Sequence, residues 1–146
     1  TGLSGDIRIT TSSLTLSNDA QLRTSTYGQG SAGSVIINAP DRIDFSRGYV
    51  FSTLEEGASG KSGNITITTG SLTLTNGAEL VATSYGRGDA GNVNIKAGDT
   101  VRFDGRNRSG FPSGAFTNVE SQNAVGKGGD INIHTGSLYL SNGAIV

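Results

Sequence analysis

The sequence predicts an all-β fold, a parallel β-helix of about five coils with about three short strands in each coil. Composition is the first reason: of 146 residues, 23 are glycine and only two are proline. Glycine at this level, with abundant Ser, Thr and Asn, is typical of turns that separate short strands. The second reason is an alternation of apolar and polar residues, which half-buried strands require. The third reason is a long internal repeat, which governs the whole fold.

The internal repeat alternates two kinds of unit, A and B. The A unit that begins at Gly5 agrees with the one that begins at Gly63 at about sixteen of 28 positions, without a gap. A partial A unit begins at Gly129, and B units begin at Gly33 and Gly91 with a shared Gly-polar-apolar-x-Ile pattern. The expected coils, in the order A, B, A, B, A, are about 5–32, 33–62, 63–90, 91–128 and 129–146.

Each A unit contains three short strand patterns. In the first unit alternate residues are expected to face outward, among them Arg8, Thr15 and Arg23. The expected inward residues are Ile7, Ile9, Leu14, Leu16, Leu22 and Thr24. Clusters of Gly, Asn and Ser lie between these segments and predict turns.

The Asn-Gly pair at 76–77 would by itself indicate a two-residue hairpin. The repeat favours a coil instead, because a coil that returns to the same point places like residues in register along its length. Such a coil is long enough for a three-sided cross-section. Two inward rows are then expected to form the core: Ile7, Val35, Ile65, Val93 and Ile131 in one, and Ile9, Ile37, Ile67, Ile95 and Ile133 in the other.

Asn18, Asn76 and Asn142 occupy one repeat position. Two interpretations are open: left-handed backbone geometry, which asparagine tolerates, or a ladder of amides stacked along the axis. The left-handed turn is favoured, because the intervening B units do not obviously supply an asparagine at that position.

Composition also limits the classes of function. The net charge is −1 with acidic and basic residues interspersed, which argues against a nucleic-acid partner. Cysteine is absent, which excludes disulfides, thiolate metal sites and a cysteine nucleophile. No apolar run approaches the length of a membrane span, so membrane insertion is not expected. The first residues carry no signal-peptide pattern, so an export signal would lie outside this segment.

The phrases GNITITTGSLTLTNGAEL, from Gly63, and SYGRGDAGNVNI, from Ser84, carry a family resemblance. Together with the A and B alternation they resemble the repeat arrays of filamentous-haemagglutinin-type exoproteins, particularly the cyanobacterial arrays, over nearly the whole chain. The resemblance implies a right-handed β-helix that is exported by two-partner secretion through an outer-membrane partner and displayed outside the cell. The Asn-Pro signal of that family's secretion domain does not occur in this chain, so the resemblance concerns the shaft.

The tripeptide Arg87-Gly88-Asp89 is a motif that many animal adhesion ligands present to integrins. Its counterpart in the first A unit is Gln29-Gly30-Ser31, so the position is a recurring corner between coils. Such a corner requires its glycines and tolerates any polar residue beside them. A structural role is therefore favoured over integrin binding.

Candidate catalytic and metal-binding residues are few. Asp41 and Asp99 form the one acidic position that recurs between B units, whereas enzymes built on β-helices need clustered carboxylates or a basic proton acceptor. Glu55 and Glu56 are adjacent, so as strand residues they would point to opposite faces. His134 has no second His or Cys nearby in the sequence. We expect no catalytic residue, no metal site and no cofactor.

The second B unit is about eight residues longer than the first, and most of the excess is GRNRSGFP, residues 105–112. Insertions in solenoids form loops on one face. In this loop Arg106, Arg108 and Phe111 could stack on sugars or pair with carboxylates, and Asn107 lies among them. These four residues are the candidate recognition site. The plainer interpretation is a tolerated surface loop with Phe111 folded over the shaft.

These observations favour a non-catalytic structural and adhesive role, as a shaft or fibre segment of a secreted exoprotein at the cell surface. The alternative is a carbohydrate-binding or carbohydrate-cleaving β-helix. The expected partners are copies of the chain or flanking repeats, surface polysaccharide, and other cells. Neither end carries a polar cap, so the segment is expected to belong to a longer array or to stack end to end.

Overall fold

The computed structural model describes residues 3–146, in which all regular secondary structure is β. Apolar residues at every second position suit strands with one buried face, and clusters of Gly, Asn and Ser end those strands. No helix long and apolar enough to cross a membrane occurs among these residues. The strands are β1 (Ile7–Thr10), β2 (Ser13–Ser17), β3 (Gln21–Thr26), β4 (Val35–Ser46), β5 (Tyr49–Leu54), β6 (Ile65–Thr75), β7 (Glu79–Ser84), β8 (Val93–Asp104), β9 (Gly114–Val119), β10 (Ile131–His134) and β11 (Ser137–Ser141).

The strands form two parallel sheets. The larger sheet has the order β1-β4-β6-β8-β10, with β2 beside β4 and β11 beside β8. The smaller sheet has the order β3-β5-β7-β9. Neighbours in each sheet are therefore separated by a full turn of the chain, which is the arrangement of a β-solenoid. The predicted all-β, parallel solenoid is confirmed.

The solenoid has about three turns, so the prediction of about five coils is not confirmed. The turns β4 with β5, β6 with β7, and β8 with β9 hold nearly all of the fully buried apolar side chains. The segments β1 to β3 and β10 to β11 lie at the two ends. Each end segment pairs with a neighbouring turn on one side only, so its inward residues remain partly exposed.

The strand count in each turn also differs from the prediction. The first segment has three strands, but in the three turns the first two predicted strands are one long bent strand. The bend follows Ala39 in β4 and Thr69 in β6, where the pairing register shifts. Gly70 allows the close approach, because a Cβ there would lie 2.6 Å from the carbonyl oxygen of Asp41. Backbone pairing is interrupted at this corner and resumes directly after it, so both sides belong to the larger sheet, and the third side of each turn belongs to the smaller sheet.

The core is made of inward rows that stack from turn to turn. The two rows expected from the sequence lie in register through β1, β4, β6, β8 and β10. Their members in the three turns are at most 2% exposed, and those in β1 and β10 are partly buried. On the second side, Phe45 and Phe103 flank Leu74. Each fully buried side chain of this size contributes about 1.5 to 3 kcal/mol.

The corner after the second side has left-handed backbone geometry in every repeat. The φ angle is 55° at Asn18, 51° at Arg47, 55° at Asn76 and 53° at Asn142, and Gly105 takes the same place with 77°. The αL interpretation of the asparagine position is confirmed. The residue after Asn76 also has positive φ, as in a hairpin turn, but β6 and β7 belong to different sheets, so the chain turns a corner.

The corner between the third side and the next turn is built from stacked glycines. A Cβ at Gly33, Gly63, Gly91 or Gly129 would clash with the carbonyl oxygen of the glycine one turn earlier. Only glycine permits backbones to approach this closely, so the recurring glycine has a steric cause.

A ladder of side chains runs beside this glycine row. The residue after each corner glycine accepts a hydrogen bond from the backbone N–H of its counterpart one turn later, at 2.8 to 3.1 Å. An axial ladder of polar side chains therefore exists at this corner, where it satisfies backbone groups that the strands leave unpaired. The donors and acceptors are Ser34 to Asp6, Asn64 to Ser34, Asn92 to Asn64 and Asp130 to Asn92.

Candidate functional site

The outer surface of the smaller sheet gathers aromatic and acidic side chains. Because alternate residues of a strand face opposite ways, β5 buries Val50, Ser52 and Leu54 and turns Tyr49 and Phe51 outward. Strands β3, β7 and β9 follow the same phase, so their outward residues align with those of β5. We call this surface the aromatic face and define it by Arg23, Tyr49, Phe51, Glu55, Glu79, Val81, Thr83, Tyr85, Phe116 and Glu120.

One row across the aromatic face is mainly apolar. Arg23, Phe51, Val81 and Phe116 are register partners on β3, β5, β7 and β9. The rings of Tyr49 and Phe51 are stacked, with centroids 5.8 Å apart and planes at 10°. The guanidinium carbon of Arg23 lies 6.0 Å from the centre of the Phe51 ring. The rings are thus held in a fixed arrangement that suits stacking with a ligand.

Glu55 is held by its neighbours on this face. Its carboxylate accepts hydrogen bonds from Arg23 at 2.6 Å and from the Thr53 hydroxyl at 2.7 Å. Partial burial acts to raise the pKa of Glu55, but the hydrogen bonds from Thr53 and Arg23 outweigh it and lower the pKa below its ordinary value. The adjacent Glu56 is exposed in the following turn.

Among residues 3–146 no cation pairs with the other two carboxylates of the face, although Glu120 accepts a hydrogen bond from the Asn118 side-chain amide at 2.7 Å. Burial raises the pKa of Glu79, and within residues 3–146 no cation forms a salt bridge with it. Burial also raises the pKa of Tyr85, and the carboxylates of Glu120 and Glu55 raise it further. Three carboxylates therefore face one guanidinium, and the electrostatic field of the face is acidic.

An open cleft of about 350 Å³ lies on this face. Phe51, Val81 and Phe116 line it together with Glu79 and Thr83. Thr83 is 1% exposed, and among the described residues its hydroxyl has no hydrogen-bond partner. An unpartnered buried hydroxyl is uncommon, because the group has lost its hydrogen bonds to water without replacement. The cleft therefore combines an apolar surface with an unsatisfied polar group.

The insertion at 105–112 divides its predicted recognition residues between two surfaces. Phe111 is 60% exposed and lines the cleft of the aromatic face. Arg106, Asn107 and Arg108 line a separate polar cleft of about 310 Å³. The four residues therefore do not form one site. The other residues that line the polar cleft are Asn18, Ser46, Arg47 and Asn76.

Asn107 and Arg106 stabilise the loop that carries Phe111. The side-chain oxygen of Asn107 accepts hydrogen bonds from the backbone N–H groups of Ser109 at 3.0 Å and Phe111 at 2.9 Å. The Arg106 guanidinium donates to the carbonyl oxygen of Gly110 at 2.9 Å. These contacts hold Phe111 in position at the edge of the aromatic face.

The Arg87-Gly88-Asp89 tripeptide is built into the glycine corner. A Cβ at Gly88 would clash with the carbonyl oxygen of Gly60. Asp89 accepts a hydrogen bond from the backbone N–H of Lys127 at 3.0 Å and lies 3.5 Å from the Lys61 ammonium group. The hydrogen bond from Lys127 lowers the pKa of Asp89. These contacts support a structural role for the tripeptide.

The remaining candidate catalytic and metal-binding residues do not cluster into one site. Asp41 and Asp99 are both exposed and lie at the same corner, two strands from each other. His134 is exposed beside Lys96, its register partner in β8. Within residues 3–146 no group of three or more His, Cys, Asp or Glu side chains could hold a metal ion.

Aligning the A units with the B units does not identify the aromatic face. The strand pattern of the sequence nevertheless indicates it. In the segment YVFSTLE, Tyr49 and Phe51 occupy the outward positions of the alternation, where the first A unit has Gln21 and Arg23. Large aromatic residues at outward positions mark an exposed apolar surface. Phe116 repeats the feature in the second B unit.

Comparison with protein-family models, with curated proteins and with solved structures found no match.

Proposed function

We propose that this chain is a non-catalytic structural and adhesive segment, a β-helical shaft of an extracellular surface exoprotein. The observation that carries the proposal is the register of the two parallel sheets, in which equivalent residues of successive turns stack on one another. A solenoid of this kind grows in one dimension, and every turn adds both length and outer surface. Such a rod suits the display of a repeated face to an extended ligand or to another cell.

The winding and the coil count are finer parts of the same proposal. We infer a right-handed helix, because about 98% of crossover connections between parallel strands are right-handed. Counting the two end segments as coils gives about five coils, and a spacing of about 4.8 Å between strands gives a rod on the order of 24 Å long.

The repeat phrases between Gly63 and Ile95 support placing the segment in a filamentous-haemagglutinin-type array. In that setting an outer-membrane partner exports the full-length protein, and the segment lies at the cell surface or in the secreted product. Flanking repeats or further copies continue the stack along the axis. Surface polysaccharide or other cells are the adhesion targets.

Adhesion and catalysis can be tested on the same preparation. Beads coated with the protein are expected to adhere to surfaces coated with bacterial cells or polysaccharide more than beads coated with the core variant Ile67→Asp. Incubation with acidic and neutral polysaccharides is expected to release neither unsaturated nor reducing ends. Steady release that is lost in Asp41→Asn or Asp99→Asn would overturn the non-catalytic proposal.

A carbohydrate-binding β-helix is the second candidate, and the aromatic face favours it. Aromatic rings, a half-buried carboxylate and a buried hydroxyl lie together in one open cleft. Binding of this kind is compatible with adhesion, whereas cleavage is the alternative that the turnover assay detects.

A further inference from the structure

We propose that the aromatic face binds an uncharged polysaccharide chain that lies across β5, β7 and β9, parallel to the solenoid axis. This inference rests on the adhesive function proposed above and assigns to it a site and a class of ligand. The aromatic row, the polar groups of the cleft and the charge of the face each support one part of it.

The aromatic row matches the apolar faces of sugar rings. Phe51 and Phe116 are register partners two strands apart, which corresponds to about 9.6 Å at about 4.8 Å for each strand. Sugar C–H groups carry partial positive charge and stack on the electron-rich faces of aromatic rings. Two sugar residues along a chain could therefore each contact one ring, with Val81 between them. Phe111 supplies a further ring at the edge of the cleft.

The polar groups of the cleft match sugar hydroxyls. The Glu79 carboxylate can accept hydrogen bonds from hydroxyl groups, and bonds to a charged acceptor are stronger than neutral ones. The Thr83 hydroxyl is buried beside the rings and has no partner among residues 3–146. A mainly apolar cleft with a few convergent polar groups is the usual composition of a ligand site.

The charge of the face selects among polysaccharides. Glu55, Glu79 and Glu120 face a single guanidinium, that of Arg23, which is already paired with Glu55 at 2.6 Å. A chain of uronic acids would bring further carboxylates against this acidic surface and be repelled. An uncharged chain meets no such repulsion, and its hydroxyls can donate to the carboxylates.

Isothermal titration calorimetry with hexasaccharides tests the proposal directly. The uncharged probes are cellohexaose, laminarihexaose and maltohexaose, which differ in linkage, and the acidic probe is hexagalacturonic acid. At least one uncharged probe is expected to bind, and hexagalacturonic acid is expected to bind at least about tenfold more weakly. The double variant Glu79→Gln, Glu120→Gln is expected to reduce the ratio between the affinities for the uncharged and the acidic probe.

Variants of the rings locate the site. Phe51→Ala and Phe116→Ala are each expected to weaken binding of the uncharged probe by about three- to tenfold, as the loss of one stacking contact predicts. Phe111→Ala removes a ring from an exposed loop, so it tests the site even if the strand variants fail to fold. Phe51→Tyr is expected to retain binding. Tyr27→Ala is the matched control, because Tyr27 is a 73% exposed aromatic residue next to the face that does not line the cleft.

Several results would overturn the assignment. These are no binding of any uncharged probe, equal binding of hexagalacturonic acid, or an affinity that none of Phe51→Ala, Phe111→Ala and Phe116→Ala changes. Sedimentation showing that the face instead joins two copies of the chain, with dimers lost in Phe116→Ala, would overturn it as well. If bead adhesion persists while the probes fail to bind, only this inference fails; if a probe is cleaved, the non-catalytic function fails while the site stands.

Discussion

Single residues determine where this chain turns. Asn18, Asn76 and Asn142 adopt the αL conformation at one corner, and asparagine tolerates that conformation better than most residues do. Arg47 adopts it at the same corner with a φ of 51°, although arginine tolerates this conformation less well than asparagine does. The stacked turns on either side impose the geometry, so the cost at Arg47 is offset by the pairing of its neighbours.

Replacing Arg47 by the residue found in the A units should stabilise the protein. We expect Arg47→Asn to raise the free energy of unfolding by about 1 kcal/mol, because asparagine adopts αL with less strain. The substitution removes an exposed ion pair to Asp19 at 3.6 Å and an exposed hydrogen bond to the Asn18 side chain at 3.3 Å, and such surface contacts contribute little. Urea denaturation measures the change. A loss of stability would mean that the contacts of the Arg47 side chain outweigh the backbone strain.

A substitution at the stacked glycine corner should instead lower the free energy of unfolding. Gly91→Ala should destabilise the protein by more than about 3 kcal/mol, because its methyl group would clash with the carbonyl oxygen of Gly63. Gly98→Ala is the control, since a Cβ at Gly98 meets no atom within 4 Å. Thermal unfolding of both variants compares them. Equal melting temperatures would contradict the steric cause assigned to the corner glycines.

At the scale of the element, the alternation of β6 determines which residues enter the core. Ile65 and Ile67 are fully buried, whereas Thr66 is partly exposed and Thr68 is exposed. The strand pairs in register with β4 on one side and β8 on the other. Because side chains alternate with a period of two, a shift of one residue would turn the whole apolar row to solvent. Burial therefore sets the register.

The same charge at adjacent positions of β6 tests this alternation. Ile67→Asp should prevent stable folding, because it buries an unpaired carboxylate between Ile37 and Ile95. Thr66→Asp should change the free energy of unfolding by no more than about 0.5 kcal/mol, since its side chain faces outward. Circular dichroism and urea denaturation distinguish the two. Similar tolerance of both variants would show that the assigned strand phase is wrong.

At the scale of the whole molecule, stability depends on how many neighbours each strand has. β6 pairs with both β4 and β8, whereas β1 pairs only with β4 and β10 only with β8. In a solenoid each turn is stabilised by its interfaces with the adjacent turns. The middle of the molecule is therefore the most stable part, and the two end segments have about half of its interfaces.

Hydrogen exchange should follow this gradient. Amide exchange measured by mass spectrometry is expected to be slowest in β6 and faster in β1, β10 and β11, because end strands can open without disturbing the centre. The measurement should be made at low protein concentration, so that association cannot protect the ends. Uniform protection from β1 to β11 would instead indicate that the chain opens only as one cooperative unit.

Several features of the fold can be predicted from the sequence because they depend on chain periodicity. Alternation within short segments predicts strands, and the recurrence of Gly5, Gly33, Gly63, Gly91 and Gly129 predicts a coil that returns to the same corner. The number of turns and the division of strands are harder to predict. They depend on whether backbone pairing resumes directly after a corner, as it does after Gly70, and on which turns have neighbours on both sides.

The candidate site is less predictable, because its residues belong to different turns. Phe111 could be identified as a candidate from the inserted loop, but Arg106, Asn107 and Arg108 turn to another surface. The loop's own hydrogen bonds decide this division, and sequence spacing does not reveal them.

The sequence by itself determined the class of fold, the corner glycines and the left-handed asparagines, since each follows from local alternation, steric limits or repetition. Only the tertiary structure decided that Phe51, Val81 and Phe116 become neighbours, with Glu79 and the buried Thr83 beside them. The physical reason is that parallel stacking joins residues a full turn apart. Their proximity therefore depends on the exact length of every intervening turn, which the alternation of a single strand does not specify.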